Sequence, residues 1–193
     1  ELERTNHAFE DSITYASFLQ NALLPDDDTL AGLGEHAVIW WPRDVVGGDI
    51  YVARRSATGV LAGVIDCTGH GVPGAFMSMA AYAAFDYAIE ETGGASPAQV
   101  LQAMDAYLRR VLARGIDSTT DDGLEIGLLH IEPARARATF AGAGIDLFLA
   151  DAASAAARDG AGTPASVGNT VQRIRAAKAG LGYRRRKARL DAP

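Results

Sequence analysis

The chain has 193 residues, 48% of them hydrophobic and 22% charged, which is enough for one well-buried domain and short for two. A formal charge of -6 gives no electrostatic reason to expect nucleic acid as a partner, and the single cysteine, Cys67, excludes both a disulfide framework and a thiolate metal cluster. No apolar run approaches the ~20 residues that span a bilayer and the polar start is no signal peptide, so a cytoplasmic location without membrane insertion in this segment is expected, in a chain that opens on Glu1 and reads as a fragment of a longer protein.

Phe9, Ile13, Ala16, Leu19 (or Gln20) and Leu23 recur at steps of three or four, which predicts a helix over about 6–24 that Pro25 ends. Asp26, Asp27 and Asp28 read as a solvated turn. The runs 37–41, 49–56 and 59–66 are short, rich in Val, Ile, Tyr and Trp, and bounded by Pro or Gly, so they read as strands, the last two forming a hairpin around Ala57-Thr58. Pro73 suits a first helical turn and 75–91 carries strong helix formers. Ser96-Pro97-Ala98-Gln99 combines an N-cap, a proline at the first helical position and a capping-box glutamine, and the stripe Val100, Leu101, Met104, Tyr107, Leu108, Val111, Leu112 follows. The runs 124–131, 137–141 and 145–150 read as further strands in a meander whose first turn is 132–135. Strands, two helices, then strands predict an α+β layered domain. From Asp151 the composition shifts to Ala, Gly and Arg, and Arg184-Arg185-Arg186-Lys187 reads as a solvated basic segment, a docking patch for an acidic partner being the alternative.

The stretch Gly69-His70-Gly71-Val72-Pro73-Gly74 fits G-x-G-x-x-G, yet the acids about 20 residues on, Glu90 and Glu91, end a helix, and Asp66 would place a carboxylate beside the supposed phosphates. A dinucleotide site is therefore rejected. The hairpin gives a sharper expectation. With a two-residue turn at 57 and 58, paired positions sum to 115, which puts Asp49 opposite Asp66. Like charges directly cross-strand are destabilising, so either one carboxyl stays protonated or a hard divalent cation sits between them. With no cysteine pair or histidine cluster nearby, Mg²⁺ or Mn²⁺ is favoured over zinc. Gly47-Gly48 and Gly69, Gly71 allow close backbone approach, so that a carbonyl can join such a shell; ordinary turn glycines are the plain alternative.

Three stretches in order, Ser17-Phe18-Leu19-Gln20-Asn21-Ala22-Leu23-Leu24-Pro25, Pro42-Arg43-Asp44-Val45-Val46-Gly47-Gly48-Asp49-Ile50-Tyr51 and Asp66-Cys67-Thr68-Gly69-His70-Gly71-Val72-Pro73-Gly74-Ala75, resemble the SpoIIE/RsbU branch of the PPM (protein phosphatase 2C-like) serine/threonine phosphatases. The resemblance covers roughly residues 10–150 and extends to Asp121-Asp122-Gly123-Leu124-Glu125-Ile126. It implies a PPM-type α-β-β-α sandwich of two antiparallel sheets flanked by helices, an N-terminal linker or regulatory helix over 1–25, and a phosphatase domain over 26–193. It further implies two Mn²⁺ or Mg²⁺ ions, with Asp49 and Asp66 as ligands, Asp66 the bridge, and Cys67 giving its backbone carbonyl. A metal-activated water then attacks phosphorus, without a phosphoenzyme. His70 is a candidate general acid or a loop-shaping residue, and Asp122 an accessory metal ligand or an exposed turn acid. The implied substrate is a phosphoserine or phosphothreonine on a STAS-domain protein in partner-switching signalling. The first helix corresponds to a linker from an upstream sensor and a homodimer contact, packing on its own sheet being the alternative.

Two departures stand out. Where relatives show Ala-Gly-His-x-Pro, this chain has Ala143-Gly144-Ile145-Asp146-Leu147. The family's later metal-binding acids, from an Asp-Gly motif and a last acidic position, have no convincing match before Pro193, and Asp191 sits in no such context. A C-terminal part missing or divergent is therefore expected. The alternative function is a catalytically inactive PPM-like module that binds a partner without turnover.

Overall fold

The hairpin predicted around Ala57-Thr58 is formed by β1 (Ile50–Arg55) and β2 (Val60–Cys67), with Ile50 opposite Ile65 and Arg55 opposite Val60. The paired positions sum to 115, as the two-residue turn requires, and Ser56 N–H bonds to the Gly59 carbonyl at 2.8 Å to close it. A computed structural model describes residues 2–113, 121–150 and 171–183 of the chain. Within them β3 (Leu124–Glu132) and β4 (Arg137–Ala143) extend the hairpin into an antiparallel sheet of order β1-β2-β3-β4. The turn predicted at 132–135 is a 3-10 turn over Pro133–Arg135, and Ala136 leaves it at φ 46°.

One face of this sheet is covered by α3 (Gly71–Thr92) and α4 (Pro97–Leu112). Ser96 caps α4 as expected, its hydroxyl accepting the Gln99 N–H, and Gly93 ends α3 in the left-handed region at φ 72°. Small residues on α3, Ala81, Ala84 and Ala88, let it pack closely, and Phe85, Leu101, Met104 and Leu108 fill the layer against Leu61, Ile65, Ile126 and Leu128. Each fully buried large side chain of this kind contributes about 2 kcal/mol of transfer free energy. The α1 helix (Leu2–Ala22), predicted over 6–24, docks on α3. Its buried position is Gln20, whereas Leu19, the other candidate for the stripe, is exposed.

Three expectations are corrected. Segment 37–41 is extended but joins no ladder: Trp40 donates its indole N–H to the Asp49 carbonyl at 3.0 Å and meets Tyr51 edge to face, while Ile39 and Trp41 stand 92% and 90% exposed. The outer edge of β1 carries no described ladder partner, yet the segment's tie to it runs through the Trp40 side chain, so a β-rich composition alone does not make a strand. The meander breaks after β4. Gly144, at φ 90°, turns the chain out of the sheet, so that β5 (Leu147–Ala150) pairs with β6 (Val171–Ile174) in a separate antiparallel sheet. Asp146 pins this crossing by accepting the Ala176 N–H at 2.6 Å and pairing with Arg173. The aspartate turn at 26–28 is the start of a one-turn helix, α2 (Asp27–Ala31), with Asp26 as its N-cap. The basic run 184–187 and residue 191 lie outside the described residues. No helix among the described residues is long and apolar enough to cross a membrane.

Candidate functional site

Side chains alternate between the faces of a sheet, so the row next to the core row Ile50, Ile65, Ile126 points away from α3 and α4. That row continues the β1–β2 register to Asp49 opposite Asp66, and Asp66 is paired in turn with Glu125 on β3. Three acids thus stand side by side across three strands. The Asp66 carboxyl is raised above its ordinary value, first by partial desolvation, then by the Asp49 charge and a hydrogen bond shared with Asp49, and last by Glu125. Among the described residues no cation pairs with any of the three. The pair lies at the edge of an open groove of about 710 Å³ on this face, between Tyr51, Val64, Leu129 and Phe140 on the sheet and Trp40 and Ile145 above it.

Two loops and the start of α3 meet backbone to backbone beside the acids. A Cβ on Gly48 would lie 2.6 Å from the Gly69 carbonyl oxygen and 2.8 Å from that of Cys67, so only glycine fits and the Cys67 carbonyl faces the loop that carries Asp49. A Cβ on Gly74 would likewise meet Gly69 O at 2.6 Å and Gly48 N at 2.9 Å. The Cys67 thiol is buried and pushed up to about 12, by burial first and by Asp66 and Asp49 after it, which removes it as a nucleophile. His70 stands at the N-cap of α3 without capping it by side chain, and its Nδ1 lies 3.2 Å from Asp44 Oδ2, tying the loop before Asp49 to the loop after Asp66. Asp122 lies in the loop before β3.

The donors fit a hard divalent cation in kind: two carboxylates in contact, a carbonyl facing the loop that carries Asp49, and a cradle that a Cβ would fill. Among the described residues no three acid, His or Cys side chains converge, so Asp49, Asp66 and Asp122 do not form a three-ligand group.

Sequence reasoning missed two neighbours of the site. Glu125 was inside a quoted motif, but its place beside Asp66 depends on the β2–β3 register, which no short turn fixes. Gln20 is fully buried, donating to the Gly47 carbonyl at 2.7 Å and to Ser78 Oγ at 2.8 Å while its Oε1 accepts the Gly47 N–H at 3.3 Å. A polar residue within an apolar helical stripe was the available signal. It joins α1, the loop leading to Asp49, and α3.

Residues 56–169 match the family model described as Stage II sporulation protein E (SpoIIE). Among solved structures, the SiaA-PP2C domain of Pseudomonas aeruginosa is 39% identical, with a TM-score of 0.74 over 92% of this chain. The chain spans 64% of that solved chain's length. A second structure, described as "The bacterial stressosome: a modular system that has been adapted to control secondary messenger signaling", aligns with a TM-score of 0.48 and 18% identity over 73% of this chain and 58% of that one. No curated protein matches.

Proposed function

Since this chain belongs to the SpoIIE family of PP2C-like (PPM) phosphatase domains, we propose that it works as a metal-dependent protein serine/threonine phosphatase module, acting on a phosphorylated STAS-type partner in bacterial signalling. The observation that carries this reading is the contact between Asp49 and Asp66, uncompensated by any described cation, at a carboxyl that partial desolvation first and the Asp49 charge second hold above its ordinary value. Such an arrangement costs free energy in the protein alone, and a bound divalent ion reverses the sign of that cost. Asp49, Asp66 and the Cys67 carbonyl would hold Mn²⁺ or Mg²⁺, and Asp122 is the candidate for an accessory ligand. When bound, such ions supply a water of lowered pKa and neutralise charge on the phosphoryl oxygens.

The chain's own residues do the rest. Gly48, Gly69 and Gly74 keep backbone atoms where side chains would otherwise fill the space. Asp44 orients His70 through Nδ1, leaving Nε2 for a proton near the leaving oxygen, the role of general acid. The open groove gives a protein-bound phosphoryl group a route to the acids. Along α1, Phe9, Tyr15 and Phe18 are exposed, which supports α1 as a linker to an upstream sensor and as a homodimer contact. The lone buried cysteine suits work in the cytoplasm.

A second reading, a PPM-like module that binds its partner without turnover, draws on the lack of any three-ligand group among the described residues. Calorimetry and hydrolysis of a phosphoprotein by the full-length protein separate the two. The phosphatase reading expects Mn²⁺ binding and Mn²⁺-dependent phosphate release that falls by about 100-fold or more in Asp66→Asn. Unchanged hydrolysis in Asp66→Asn overturns it, and an absence of Mn²⁺ binding in the full-length protein leaves the binding module.

A further inference from the structure

We propose that the Thr68 hydroxyl and the Tyr183 phenol form a positioning pair that fixes the Cys67 carbonyl for metal binding; this rests on the reading of Asp49 and Asp66 as metal ligands. Thr68 follows Cys67 directly, and its backbone N–H donates to the Gly123 carbonyl at 2.9 Å. Its hydroxyl donates to the same carbonyl at 2.9 Å and accepts the Gly123 N–H at 3.2 Å. A hydroxyl has one proton and two lone pairs, so the remaining contact, 3.2 Å to Tyr183 Oη, must be donated by the tyrosine. One oxygen therefore joins the loop after Asp66, the loop before β3 and a third segment, 177–183.

That third segment is itself bolted down. Leu181 exchanges backbone hydrogen bonds with Leu124 at 2.8 and 3.0 Å and is fully buried. The Gly182 N–H donates to Asp105 Oδ1 at 2.8 Å, and Arg109 Nη1 donates to the Tyr183 carbonyl at 3.0 Å, both from α4. The Tyr183 ring has a built seat: a Cβ on Gly123 would lie 2.7 Å from Tyr183 Cδ2, and one on Gly180 would lie 2.6 Å from its Cε2. Two glycines thus give up side chains so that an aromatic ring can lie between them. The ring's polar tip reaches Thr68 in the loop that follows Cys67, which refers the carbonyl's position to β3 and α4.

A group that orients a ligand shows itself in affinity for the metal more than in fold. The Thr68–Tyr183 contact lies at the surface, so losing either hydroxyl removes little burial. Outer-shell partners of metal ligands are typically worth about 10- to 100-fold in affinity. Mn²⁺ titration of the full-length protein by calorimetry, with melts of the metal-free forms alongside, tests the inference. Thr68→Val is expected to weaken Mn²⁺ binding about 10-fold and Tyr183→Phe about 3-fold, with Thr68→Ser restoring wild-type affinity and the metal-free melting temperature of Tyr183→Phe close to wild type. Wild-type binding with Thr68→Val and Tyr183→Phe unchanged overturns this inference alone. No Mn²⁺ binding by the wild type overturns it together with the reading beneath it. Should Thr68→Val fail to fold, Tyr183→Phe decides the matter: unchanged affinity overturns the inference, and a loss of affinity at an unchanged metal-free melting temperature supports it.

Discussion

At the hairpin end of the four-stranded sheet, a buried carboxylate is surrounded by compensation: Glu132 meets Arg135 at 3.1 Å and Arg137 at 3.8 Å, and its Oε1 lies 4.0 Å from Nδ1 of the buried His130. His130 Nε2 in turn lies 2.8 Å from Ser56 Oγ, which also accepts the Gly59 N–H at 3.1 Å, so the turn is fastened to β3. At the other end of the same strands, Asp49, Asp66 and Glu125 stand in a row with no described cation beside them. Burial does not explain the contrast, because the compensated acid is the more buried one. An acid neutralised within the chain is part of the architecture. Acids left unneutralised together, at an open edge, weaken the architecture and are understandable only through something the chain binds.

Opposite consequences for stability follow at the two ends. The largest effect is expected from His130→Ala, which removes a buried ring and leaves Ser56 without its partner across the strands; a loss of about 3 kcal/mol in urea unfolding is expected. At the acid end the sign reverses. Metal-free Asp66→Asn should be more stable than wild type at neutral pH, by less than about 1 kcal/mol because the carboxyl is largely exposed and screened. The folded pKa of Asp66 is raised, so its penalty is fully present above that raised value and fades as the pH falls toward the ordinary carboxylate range. Thermal melts at neutral and acidic pH check this: a wild type more stable than the variant at pH 7 would remove the contrast between the ends. The smallest effect belongs to Asp146, whose pKa is lowered by the Ala176 N–H and then by Arg173. Its contribution is present above the ordinary carboxylate value and is lost as the pH falls through the lowered one, so Asp146→Asn should reduce the melting temperature slightly at neutral pH and not at strongly acidic pH.

How far the sequence could be read follows the range of the forces involved. The β1–β2 hairpin, with its register and the meeting of Asp49 and Asp66, was legible because two turn residues fix every pair along the ladder. The α4 cap was legible for the same local reason. The neighbour Glu125 was not, since the β2–β3 pairing closes around two intervening helices. Segment 37–41 has the composition of a strand and the exposure of a loop, because composition measures fitness for a sheet and does not by itself supply ladder hydrogen bonds. The strap at 177–183 was invisible within the shift to Ala, Gly and Arg, although Gly180 and Gly182 are there for contact and conformation.

Cys67 brings a practical consequence. As the sole sulfhydryl of the chain, shielded from solvent and held almost wholly in its protonated form, it makes the protein behave toward maleimides and peroxides much as a cysteine-free background would. A thiol introduced at the exposed hairpin tip, Ala57, would then carry a spectroscopic label without competition, with the original cysteine left in place.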